Sequence, residues 1–103
     1  VMPEIEEVVD YEINPKDKKV FKRVIKKLKK VINKIDSGLY LNYLGYILID
    51  HNTDVKVGIK YIDKALKLEP TSIYYLDSKA WGYYKLGKCK KAKKIINKVI
   101  KLD

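Results

Sequence analysis

Residues 71–103 read TSIYYLDSKAWGYYKLGKCKKAKKIINKVIKLD, and this stretch predicts the fold. A helix is predicted over 73–85, and it ends at 86–87 because Gly87 readily takes the left-handed conformation that closes helices. A second helix is predicted over about 89–101, since its apolar residues recur every three or four positions. With so short a connection, the two helices should pack as antiparallel neighbours. The apolar positions of the second helix are Ala92, Ile95, Ile96, Val99 and Ile100.

The preceding segment predicts another pair of helices. One helix covers roughly 39–50 and is broken by residues 51–53, after which Asp54 can cap the next. That next helix ends before Pro70, because proline disfavours helical geometry in the residue before it. Its apolar side carries Val55, Ile59, Ile62, Ala65 and Leu66.

The two pairs repeat each other at a fixed spacing. Gly45 and Ala80 are small residues 35 positions apart, each midway along the first helix of its pair. Ala65 and Val99 lie 34 positions apart, late in the second helix. A period of 34 to 35 residues with two helices per unit is typical of a helical solenoid.

Upstream of the pairs, apolar residues recur at helical spacing over 15–35, and lysines occupy the opposite face. Asn14 fits the cap of this helix and Pro15 its first position. Residues 1–14 show no clear period and predict an extended or loosely ordered acidic lead-in. The expected organisation is therefore the lead-in, then a helical domain over 15–103 made of helix 15–35, repeat 39–70 and repeat 73–103.

On these residues the chain resembles the tetratricopeptide repeat (TPR), and particularly the C-terminal repeats of bacterial TPR proteins. The resemblance implies an all-α fold in which antiparallel helix pairs stack as a short right-handed solenoid of about five helices. Lys79 departs from the family pattern, which usually has an apolar residue there. The first unit matches with Leu41, Leu44, Gly45, Leu48, Gly58, Ile62, Ala65 and Pro70, and the second with Leu76, Ala80, Tyr83, Leu86, Gly87, Ala92, Ile96 and Val99.

The same resemblance implies a function as a protein–protein interaction scaffold. In TPR arrays the first helix of each pair lines a concave groove that takes a peptide or helix of a partner, and aromatic side chains suit such a surface. The competing interpretation is that these aromatics fill the core between repeats, with tyrosine tips reaching solvent. By helical phase the groove residues are Asn42, Tyr46, Ile49, Asp50, Tyr74, Asp77, Trp81, Tyr84 and Lys85.

The net charge of +10 supports an alternative function. Residues 16–35 carry a charge of +9 and residues 71–103 carry +7. The Lys-rich helices over 16–35 and 88–101 could therefore bind nucleic acid or an anionic membrane surface. Against this, the chain has one arginine, Arg23, whereas base recognition depends heavily on arginine. We expect solvated lysine faces, and therefore a protein ligand rather than a nucleic acid.

The remaining chemistry-bearing residues predict no enzyme and no cofactor. Cys89 is the only cysteine and His51 the only histidine, so neither a disulfide nor a metal-ligand spacing is present. No nucleophile stands in a pattern that His51 would activate. No stretch of sequence predicts a membrane span, and the compartment, whether cytoplasmic or periplasmic, stays open. Uncapped apolar ends of the array would also allow a homodimer.

Overall fold

The computed structural model describes residues 18–102, and every regular element among them is an α-helix. The five helices are α1 (Lys18–Lys34), α2 (Gly38–Asp50), α3 (Val55–Leu68), α4 (Ile73–Lys85) and α5 (Cys89–Leu102). They confirm the all-helical fold class and lie within a few residues of the predicted bounds. The predicted lead-in and the predicted cap at Asn14 and Pro15 lie outside the described residues. No helix in 18–102 combines the length and the hydropathy that crossing a bilayer requires.

The chain divides into two compact units, Val1–Asp36 and Ser37–Asp103. In the first unit, α1 buries one narrow stripe consisting of Val24, Leu28 and Val31. These residues are spaced four and three apart, which places them on one face of the helix. The lysines of α1 fill the other faces, as the amphipathic pattern predicted.

In the second unit, α2 packs against α3 and α4 packs against α5, while α4 also contacts both α2 and α3. The α2–α3 crossing is close because it is built on two glycines. A Cβ atom added to Gly45 would stand 2.5 Å from the Gly58 carbonyl oxygen, and one added to Gly58 would stand 2.7 Å from that of Gly45. Backbone therefore meets backbone, and no side chain fits between the two helices.

The helix pairs repeat in detail as well as in outline. The bounds of α2 and α4 differ by 35 residues at both ends, and those of α3 and α5 by 34. Both first helices begin with a serine cap: the Ser37 and Ser72 hydroxyl oxygens accept hydrogen bonds from the backbone N–H groups three residues later. Residues that are 34 or 35 positions apart in the sequence therefore occupy equivalent positions in the two helix pairs.

Both first helices also end in the same way. In α2 the N–H groups of Asn52 and Thr53 donate to the carbonyls of Ile49 and Leu48, with Asn52 at φ 53°. In α4 the N–H groups of Gly87 and Lys88 make the equivalent bonds, and Gly87 has φ 76°. This is the Schellman arrangement, which satisfies the last carbonyls of a helix. It confirms the left-handed turn predicted at Gly87 and turns the chain back for the second helix.

Lys79, which stands where the TPR pattern usually has an apolar residue, faces a carboxylate. Its Nζ atom lies 2.7 Å from Oδ1 of Asp63, which joins α4 to α3. Both side chains are partly exposed, so such a pair contributes at most about 1 kcal/mol. The pair orients α4 on α3 more than it stabilises the fold.

Candidate functional site

An open groove runs between α4 and α5, with a volume of about 630 Å³. Both of its walls are helices of the second unit, and its lining is mostly apolar. Such concave apolar surfaces with a few polar groups are the usual form of binding sites. The lining residues are Asp77, Ala80, Trp81 and Tyr84 on α4, and Cys89, Ala92, Lys93, Ile96 and Asn97 on α5.

Two small buried residues set the floor of the groove. Ala80 is 4% exposed and Ala92 is 8% exposed. Ala92 is also the only buried residue of α5, which leaves most of that helix's apolar stripe accessible. Short side chains at the floor leave room between the walls, and the Schellman turn at Gly87 fixes how the walls meet. The groove is therefore formed by residues that also hold the helix pair together.

The α4 wall carries a stacked aromatic pair. The ring centroids of Trp81 and Tyr84 lie 5.4 Å apart, and the rings are nearly parallel at 13°. Tyr84 is 58% exposed although its ring is held by this stacking. The Lys85 Nζ atom lies 5.0 Å from the Trp81 ring centroid, within cation–π range. A pre-ordered aromatic surface loses little entropy on binding, which favours recognition.

The α5 wall combines apolar and cationic groups. Ile96 on the lining and Ile100 beyond it are 40% and 66% exposed. The helix has six lysines and no acidic residue, and Lys93 lies on the groove itself. Asp77, on the opposite wall, is the only acid among the lining residues. An apolar floor with a cationic edge thus faces solvent.

The structure brings together three of the nine predicted groove residues, Asp77, Trp81 and Tyr84. Lys85 is adjacent to them through Trp81. Tyr74 is 74% exposed at the start of α4 and Tyr46 is 44% exposed on α2, but neither lines this groove, nor do Asn42 and Asp50.

The prediction that Ile49 is exposed on the binding face is wrong. Ile49 is fully buried, and its side chain lies where Cβ atoms added to Gly58 and Gly82 would meet it, at 2.8 and 3.0 Å. It therefore belongs to the core where α2, α3 and α4 converge. The error arose because α2 has no charged residue before Asp50, so its sequence does not mark which face is exposed.

Sequence reasoning missed the whole α5 wall of the groove. The residues at 92, 95, 96, 99 and 100 were predicted as an apolar face, which the sequence treats as buried. In the structure Ile96 and Ile100 of that face are exposed, whereas Ile95 and Val99 are half-buried. The equivalent stripe on α3 is covered by α4, which packs on it.

Three ionisable groups near the α2–α4 side have shifted pKa values, and one of them is Tyr75, whose pKa is raised by burial and then by the charge of Glu69. Burial raises the pKa of the Tyr46 hydroxyl, and the neighbouring Asp50 carboxylate raises it further. Burial lowers the pKa of His51, and the positive charge of Lys85 adds to that effect. Each of these shifts favours the neutral form of its group.

Two polar atoms in this region are buried without a hydrogen-bond partner among the described residues, namely Oδ1 of Asn42 and Nε1 of Trp81. Each such atom costs about 1–3 kcal/mol relative to a satisfied one.

Within 18–102, no cluster of three or more His, Cys, Asp or Glu side chains is placed to hold a metal ion.

Comparison with known proteins gave no relative: no protein-family model matches this chain, and no match was found among the curated proteins.

Proposed function

We propose that this chain is a protein–protein interaction module of the TPR type, which binds a peptide or helix of a partner in the groove between α4 and α5. The observation that carries the proposal is the stacking of exposed Tyr84 on partly buried Trp81 on the wall of an apolar groove. Tyrosine and tryptophan are the residues that most often dominate binding energy at protein interfaces.

The repeated helix pairs support the TPR part of the proposal. Equivalent caps at Ser37 and Ser72, and equivalent turns at Asn52 and Gly87, follow the 35-residue spacing of the sequence. Repeat arrays of this kind present extended surfaces and function mainly by binding.

The test is a pull-down with the chain as bait, compared with a Trp81→Ala/Tyr84→Ala double variant. We expect a protein partner that survives moderate salt and is lost from the double variant, because the stacked pair supplies the contact area. Tyr74→Ala is the matched control: it removes an aromatic ring from the same helix, 74% exposed but outside the groove. If the double variant still retains the partner, or if Tyr74→Ala loses it to the same extent, the groove is excluded as the binding site.

Because Trp81 is partly buried, the double variant could lose its fold rather than its surface. Tyr84→Ala alone guards against this, since Tyr84 is mostly exposed. Thermal unfolding followed by circular dichroism should show the same midpoint for Tyr84→Ala and the wild type. Loss of the partner at an unchanged midpoint is then an effect on binding.

A second candidate function rests on the six lysines of α5, all of which are exposed. Such a face would bind an anionic surface through charge alone, with strong salt dependence. In the same pull-down, nucleic acid or lipid that is released by moderate salt and unaffected by the double variant would favour this function over the first.

A further inference from the structure

Helix α4 packs on the first helix pair, α2 and α3. This packing indicates which kind of ligand would fit the groove on the second pair, α4 and α5. Equivalent positions lie 35 residues apart in α2 and α4 and 34 apart in α3 and α5. By this relation Tyr84, Lys93 and Asn97 of the groove correspond to Ile49, Ile59 and Asp63 of the first pair. Those three are residues that α4 covers or binds.

Two contacts define how α4 packs there. Gly82 fits against Ile59 and Ile49, since an added Cβ would stand 2.6 and 3.0 Å from their side chains. One turn earlier in α4, Lys79 pairs with Asp63 at 2.7 Å. The first pair therefore receives a helix through an apolar contact and one ion pair at its edge.

The equivalent surface of the second pair is uncovered. Ile49 is fully buried, whereas its counterpart Tyr84 is 58% exposed. Ile62 is likewise fully buried, whereas its counterpart Ile96 is 40% exposed. Neither α2 nor α3 packs on α5, so the groove has the apolar character of a helix-binding surface that no other helix of the second unit occupies.

The edge of the second pair carries more positive charge than the edge of the first, although Lys101 is matched there by Lys67. Where the first pair offers the Asp63 carboxylate, the second has neutral Asn97, and Lys93 replaces Ile59 one turn earlier. Lys101 continues the same row, because residues four apart on a helix are neighbours. A bound helix with a lysine at the position of Lys79 would be repelled by the lysines of this edge. A glutamate at that position would be attracted by them.

We propose that the groove binds an amphipathic α-helix of a partner protein, with an apolar face toward Trp81, Tyr84 and Ile96 and acidic residues along the edge that faces Lys93. This rests on the proposed function and narrows it to one class of ligand. A second copy's α4 is disfavoured as the occupant because it carries Lys79 at the edge position.

The experiment uses the whole chain and two synthetic helices, stapled on the outward face and free of tryptophan. The helices are identical except that one carries glutamates and the other lysines along a single edge of the apolar face. Trp81 is the only tryptophan of the chain, so its fluorescence reports binding at the groove directly. We expect saturable binding of the glutamate helix, about tenfold tighter than the lysine helix, since two paired charges replace two repulsions.

Lys93→Glu should abolish or reverse this preference. Lys90→Glu is the matched control, because it makes the same charge change at an exposed residue of α5 that does not line the groove. If Lys90→Glu has the same effect as Lys93→Glu, attraction is general to the basic helix and the proposal is overturned.

The other outcomes separate the inference from the proposed function. The two synthetic helices could bind with equal affinity, and Tyr84→Ala could abolish the binding of both. That result overturns the preference for acidic residues at the edge but leaves the groove as a protein-binding site. Binding of neither helix overturns the inference, whereas the pull-down decides the proposed function independently. Self-association of the chain that shifts the Trp81 emission would assign the groove to a second copy and would also overturn the inference.

Discussion

At the scale of single residues, the α2–α3 crossing depends on the absence of a side chain at Gly45. A methyl group there would stand 2.5 Å from the Gly58 carbonyl oxygen and 2.6 Å from Cγ1 of Ile62, and the backbone oxygen cannot easily move aside. Overpacking of this kind costs about 1–3 kcal/mol, which exceeds the gain in helix propensity from glycine to alanine.

We therefore expect Gly45→Ala to lower the free energy of unfolding, measured by urea denaturation. The second pair has Ala80 at the equivalent position, so Ala80→Gly is the reciprocal control. It should cost roughly 1 kcal/mol through helix propensity and a lost methyl contact. A Gly45→Ala variant as stable as the wild type would show that the helices are not held this close.

Gly87 is required for its backbone conformation and not for space. Its φ is 76°, and an added Cβ would meet no atom within 4 Å. Gly87→Ala should therefore lower the free energy of unfolding by about 1–2 kcal/mol, through backbone strain alone. Gly87→Asn should cost less, because Asn52 adopts the same conformation at the equivalent turn. Equal losses for alanine and asparagine in thermal unfolding would contradict this explanation.

His51 should make stability depend on pH. Its pKa in the folded chain is lowered from the usual value of 6.5, first by burial and then by Lys85. As the pH falls, the unfolded chain takes up this proton first. The stability contributed by neutral His51 is present above 6.5 and is lost as the pH falls through the lowered folded-state pKa.

The measurement compares urea unfolding of the wild type at pH 7.5 and pH 5.5 with that of His51→Gln. Glutamine does not titrate, so the drop in stability between the two pH values should be smaller in the variant. An identical drop would assign the pH dependence to other groups.

At the scale of helices, the sequence predicted the elements well because their ends carry strong local signals. Asp54 caps α3 by accepting a hydrogen bond from the N–H of Val57, and Gly87 closes the turn after α4. The buried side of α2 was harder to predict, because apolar residues occur all around this helix. Ile49 was therefore predicted on the exposed side. Which face is buried there depends on the tertiary contacts with α3 and α4, and these are not local signals.

The two second helices, α3 and α5, differ in how much of their apolar stripe is covered. Ile62 of α3 is fully buried and its counterpart Ile96 of α5 is 40% exposed. We expect Ile62→Ala to lower the free energy of unfolding by about 2–5 kcal/mol, as for other fully buried isoleucines. Ile96→Ala should cost clearly less, because little cavity is left and part of the side chain is already in water.

Chemical denaturation of both variants checks this expectation. Comparable losses at the two positions would mean that the α5 stripe is covered in solution, and the groove would then not be an open site. The comparison is well matched, because the two residues are of the same type and occupy equivalent positions in their helices.

At the scale of the whole molecule, the sequence predicted a repeating all-helical chain and three of the nine residues that line the groove. Trp81 and Tyr84 were found because their aromatic character stands out on α4. Lys93 and Ile96 were not, because a sequence shows that a helix has an apolar face but not whether another helix covers it. The same reasoning explains why the net charge of +10 was a weak guide, since a lysine becomes informative only where it borders an apolar surface.

The central claim is that the groove between α4 and α5 is where a partner binds, and Cys89 allows the most direct test. It is the only cysteine, it is exposed, and it lines the groove. The rate at which a fluorescent maleimide alkylates Cys89 should fall several-fold when the glutamate-edged helix, or a partner captured in the pull-down, is bound at saturation. An unchanged alkylation rate with the ligand demonstrably bound would place the binding site elsewhere and contradict the account.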